Sequence, residues 1–133
     1  MDIFDRLTQE WPTAMSVLTT ALDLVRDDLP GVGRSALSMA EGRWLKGEPG
    51  NLTASRIACW EYLQARNGNS TAIADREDFA MRALICVLYE DEDQSDIGET
   101  VGFALDMFAA LEVEPESLMA IADGAHPSVD PAP

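Results

Sequence analysis

Lysine is almost missing from this chain of 133 residues: Lys46 stands alone, and no lysine or arginine follows Arg82. Twelve acids follow it. Up to Arg66 nine acids face seven bases; beyond it fifteen face two, Arg76 and Arg82, and the net charge is −15. A field of that sign repels phosphates and anionic lipid headgroups and draws in basic protein surfaces, which argues against nucleic acid and membrane as partners. Cysteine is limited to Cys59 and Cys86, each inside an apolar helical pattern, so free buried thiols in a reducing compartment are expected. One disulfide is compatible with the sequence, but nothing in the pattern asks for it. No apolar run approaches the roughly 18 residues needed to span a bilayer. The start, Met1-Asp2-Ile3-Phe4-Asp5-Arg6, lacks a basic leader and an apolar signal core, which predicts a cytoplasmic protein. With 47% hydrophobic residues the chain is too apolar to be disordered and long enough for one real core.

Catalytic patterns are equally scarce. The one histidine, His126, falls in a proline-rich end, where no rigid scaffold holds a general base. Two separated cysteines and one histidine have no zinc-ligand spacing. Lys46 abuts the Gly47-Glu48-Pro49-Gly50 turn and reads as an exposed helix-end charge. Gly31-Val32-Gly33 lacks the strand and later glycine of a phosphate loop and reads as a turn. Asp75-x-x-Asp78 and Asp93-x-x-Asp96-x-x-Glu99 place carboxylates at i, i+3, a spacing that can hold Mg²⁺ in all-helical nucleotide hydrolases. Acids are favoured in a helix first turn anyway, and dense acidic runs are ordinarily solvated. No EF-hand is formed, because Asp96 stands where its turn glycine belongs. The expectation is therefore no metal, no cofactor and no catalytic residue.

Apolar residues recur at helical spacing almost throughout. Ile3, Phe4, Leu7 and Trp11 make a short first stripe. Ala14, Val17, Leu18, Ala21, Leu24 and Val25 predict a helix over 13–28, which Pro12 either starts or kinks away from the first stripe. Leu29-Pro30-Gly31-Val32-Gly33 reads as a stop. A helix over 34–46 places Ala36, Leu37, Ala40 and Trp44 on one side. Another over 52–66 turns Ala54, Ile57, Ala58, Trp60 and Leu63 inward. Ser70 or Thr71 can cap the next helix. Phe79 to Tyr89 is apolar except for Arg82, so a buried central helix is predicted near residues 72–89. Ala83 to Tyr89 also suits a buried strand; the helix-compatible residues leading in without a turn signal favour helix. Ile97, Val101, Ala104, Phe108 and Leu111 form the cleanest amphipathic pattern, with Phe103, Met107 and Ala110 on the adjoining face. A last helix covers 115–122. The predicted class is all-α: one compact bundle of five to six helices over 1–123 and a flexible tail over 124–133.

The segment 90–99 concentrates acids at the end of that central helix, where the dipole disfavours them. An acidic face steers a basic partner but needs an apolar anchor for affinity. Glu90, Asp91, Glu92, Asp93, Asp96 and Glu99 are the candidate contact acids, and Trp44, Tyr62 and Phe103, near the edges of their stripes, are the candidate anchors.

Ala40-Glu41-Gly42-Arg43-Trp44, Arg56 with Cys59-Trp60-Glu61-Tyr62-Leu63, and Arg82 to Tyr89 followed by acids together resemble small helical immunity proteins encoded beside secreted bacterial polymorphic toxins. The resemblance spans about residues 35–96 and is one of texture. It implies tight, stoichiometric, non-enzymatic binding of a cognate toxin domain in the cytoplasm, by covering its active site or blocking substrate access. Two other functions compete with it: a secretion chaperone or adaptor holding an effector segment in an apolar groove, and a Mg²⁺-dependent helical nucleotide hydrolase. Mimicry of DNA charge is a weaker fourth, since the N-terminal part is nearly neutral.

Overall fold

The computed structural model describes residues 2–68, 75–91 and 96–124. Among them are seven α-helices and no strand: α1 (Ile3–Leu7), α2 (Trp11–Leu22), α3 (Gly31–Leu45), α4 (Leu52–Asn67), α5 (Arg76–Ile85), α6 (Ile97–Ala110) and α7 (Pro115–Gly124). A 3-10 segment, Asp23–Asp28, follows α2. Ser70 and Thr71, like His126 and the rest of 125–133, lie outside the described residues.

Pro12 sits in the first turn of α2, where its missing N–H costs nothing, so it starts a helix and does not kink one. The predicted run to residue 28 holds in outline, but the last six residues rewind at 3-10 pitch ahead of Pro30. Rewinding buries Val25 and Leu29 and leaves Leu24 59% exposed, contrary to its place in the stripe. Gly31-Val32-Gly33 is not a stop; it is the first turn of α3. Glycine fits there because a Cβ on Gly33 would fall 2.8 Å from the Met81 sulfur.

The face of α4 also differs from expectation. Leu52, Cys59 and Leu63 are buried, while Ile57 is 50% and Trp60 40% exposed. Two overlapping stripes compete on this helix. The winning one also turns Arg56 and Tyr62 toward neighbouring groups, as described below.

Helix α5 is central, as its apolar run requires: it touches α2, α3, α4, α6 and the 3-10 segment. Its cap is Asp75, which accepts the Asp78 N–H at 3.0 Å. Ala83 to Ile85 are helical. Cys86, Val87 and Leu88 then donate to the carbonyls three residues back, at 3.2, 3.0 and 3.0 Å, so the run ends in tightening turns and not in a strand. All three are buried. Helix α6 packs on α5 through Val101, Ala104, Met107 and Phe108. It closes with Glu112 in the left-handed region (φ 65°) and a Val113 N–H to Phe108 C=O bond of 2.9 Å, the geometry that usually selects glycine. No described helix is long and apolar enough to cross a membrane.

Candidate functional site

The exit of α5 is fixed by side chains from two other helices. The Val87 and Leu88 carbonyls, just past the end of α5, each accept from a side chain. The Trp44 indole N–H donates to Val87 O at 2.8 Å, and Arg56 donates to Leu88 O at 3.2 Å. Arg56 also lies 4.5 Å from the centre of the Tyr89 ring, and Arg43 pairs with Glu90. Arg43, Trp44 and Arg56 thus reach successive residues of this exit, from Val87 to Glu90.

These contacts reassign several predicted site residues. Glu90 is answered by Arg43 and its side chain is 25% exposed, so the dipole penalty expected there is offset by a cation. Trp44 is half-buried and tied to Val87; its outer edge lines a cleft with Leu7, Pro12, Val17 and Ile121. The Tyr62 hydroxyl donates to Glu77, a bond that together with burial raises its pKa. Trp44 and Tyr62 therefore each tie one helix to another segment within the bundle. Asp96 caps α6 by accepting the Glu99 N–H at 2.9 Å. Asp91 and Glu99 are exposed, and Glu92 and Asp93 lie outside the described residues.

The Asp75/Asp78 pair serves structure. Arg66 bonds Asp75 at 2.7 Å and Asp78, which is fully buried, at 2.5 Å; Asn67 adds a 3.3 Å bond to Asp78. The Arg66 guanidinium, with help from the Asp78 N–H, holds the Asp75 carboxyl below its usual range. Among the described residues no group of three or more His, Cys, Asp or Glu is arranged to hold a metal ion. Cys59 and Cys86 are free and buried, and burial pushes their thiols up to about 11 and about 12.

Charge is more mixed in space than along the chain. Arg6 pairs with Asp123, Arg43 with Glu90, Arg66 with Asp75, Glu77 and Asp78, and Arg76 with Asp28, so bases and acids from opposite halves meet. Acids without an ion pair among the described residues occur in both halves, Asp27, Glu48 and Glu61 as well as Glu99, Asp106 and Glu116.

Phe103 alone among the predicted anchors stays exposed, at 39%. It borders a groove of about 300 Å³ between α4, α5 and α6, lined by Trp60, Arg82, Ile85, Cys86, Tyr89, Glu99, Thr100 and Phe103. The Arg82 guanidinium lies 5.2 Å from the Trp60 ring centre, and its buried Nε has no hydrogen-bond partner. Among the described residues no acid pairs with it. Sequence reasoning turned Trp60 inward and passed over Arg82 as the one polar residue of an apolar run. That isolation was the available signal, since a charge kept inside a buried helix carries a desolvation cost.

Two aromatics project beside a stacked arginine, with Glu99 on the wall; such a surface suits one or two side chains of another protein better than an enclosed small molecule. No protein-family model, curated protein or solved structure matches the chain.

Proposed function

We infer that this protein is a non-enzymatic immunity protein, cytoplasmic, that neutralises a toxin domain by docking its Trp60–Phe103 groove against the toxin and covering a basic active-site cleft. The observation that carries the reading is the groove that brings two exposed aromatics, Trp60 and Phe103, together with the exposed acid Glu99. Buried aromatic anchors supply most of the affinity of such interfaces, and surrounding charge supplies speed of encounter and choice of partner. The excess of 24 acids over nine bases favours a cationic partner and disfavours nucleic acid.

Protection is the test. Cells expressing this chain should keep growing when the toxin domain encoded beside it is induced, and a one-to-one complex should be recoverable. Trp60→Ala combined with Phe103→Ala should abolish protection while leaving the helical circular dichroism unchanged. Glu99→Lys with Asp91→Lys should slow association and reduce its sensitivity to salt. Growth arrest that is the same with and without the chain rejects the reading.

A second reading, a secretion chaperone or adaptor, is favoured by a different feature. A cleft of about 710 Å³ between α1 and α7 has Ile3, Phe4, Pro115 and Met119 along it and Asp2, Glu116 and Asp123 around it. It suits an amphipathic segment with basic edges. Binding of an effector's secretion segment, with the isolated toxic domain left unbound, would favour this second reading over the first.

A further inference from the structure

We propose that Arg82 is a recognition residue: the Trp60–Phe103 groove receives an aspartate or glutamate side chain of the partner, carried next to an apolar residue. This rests on the reading of that groove as the partner surface. Six of the described bases, Arg6, Arg26, Arg43, Arg66, Arg76 and Arg56, are engaged by carboxylates or by a backbone carbonyl and a ring. Among the described residues Arg82 has only the Trp60 ring and no carboxylate.

An arginine held over an indole is partly ordered already, so a carboxylate meeting it loses less further side-chain entropy. The buried Nε–H is an unspent donor whose desolvation is unrelieved in the free protein. Tyr89, Phe103 and Ile85 supply walls for the neighbouring apolar side chain. Glu99, on the same wall, disfavours a bare anion and suits a carboxylate delivered on a surface that also carries bases. A groove of about 300 Å³ holds one or two side chains, which points to a side-chain carboxylate over a chain terminus with its backbone. An acidic residue on a basic toxin would then set the register of docking and separate the cognate toxin from other cationic proteins.

The isolated protein can be tested with blocked dipeptides, without the partner. In ¹⁵N correlation spectra, N-acetyl-Glu-Phe-amide should shift the Arg82 Nε–H and Trp60 indole signals saturably, with millimolar affinity. N-acetyl-Gln-Phe-amide should bind at least about tenfold more weakly, since charge-assisted bonds are the strong ones. Arg82→Gln should remove the difference between the two peptides. Glu99→Gln, at an exposed position, should tighten the Glu peptide about twofold by removing a like charge. Equal binding of the Glu and Gln peptides, or a difference that survives Arg82→Gln, overturns the proposal. So does weaker binding after Glu99→Gln, or tighter binding of N-acetyl-Gln-Phe with a free terminal carboxylate. Failure here with protection intact removes this inference alone, whereas loss of protection with peptide binding intact removes the immunity reading.

Discussion

The indole N–H of Trp44 and the guanidinium of Arg66 show how single side chains position whole segments. Trp44→Phe keeps an aromatic side chain, though a smaller one, and deletes the bond to Val87 O, leaving a buried carbonyl without that donor. Urea unfolding should report a loss of about 1 kcal/mol. Arg66 keeps the Asp75 carboxyl below its usual range, so the contribution is present above about pH 4 and lost as pH falls through the depressed value. Arg66→Gln should therefore be less stable than the parent near neutrality, and the two stability curves should converge as pH falls below the depressed Asp75 value. Neither role was legible in the sequence. Trp44 lies at the edge of an apolar stripe, and an edge aromatic looks the same whether its N–H meets a carbonyl or solvent. Asp75 and Asp78 show the matching limit: i, i+3 spacing announces a shared face, but not the Arg66 that approaches from another helix.

At the scale of elements, reading the sequence worked where one period dominated. The stripe from Ile97 to Leu111 gave α6 with its bounds nearly right, and the apolar run after Phe79 gave the buried helix. It failed where two periods overlapped, on α4, and where glycine served packing and not a turn, at Gly33. The α6 terminus offers a direct check. Glu112 adopts a left-handed conformation that costs an L-residue about 1–2 kcal/mol, less what glycine loses in the unfolded chain. Glu112→Gly should raise stability by about 0.5–1 kcal/mol, measured as a higher urea midpoint at unchanged slope. The exposed Arg76–Glu112 contact at 3.6 Å is too solvated to reverse the sign.

For the molecule as a whole, the charge totals were legible and their placement was not. Linear asymmetry says which half is acidic; folding then brings Arg6 to Asp123 and Arg43 to Glu90. What survives is the excess itself. With net charge −15, unpaired acids repel one another over the surface, and screening relieves repulsion more than it weakens the fewer attractive pairs. Raising NaCl from about 10 mM to about 0.5 M, which shortens the screening length from about 30 Å to below 8 Å, should raise the thermal midpoint. A falling midpoint would mean that the internal ion pairs dominate.

Arg82 carries one more consequence. Trypsin cuts only after lysine and arginine, so the chain beyond Arg82 is a single tryptic piece, and the bond that frees it lies inside α5. A protease needs that bond extended in its cleft, which requires the centre of the bundle to come apart. Release of the 83–133 fragment should therefore keep time with global opening, while cuts elsewhere run ahead of it.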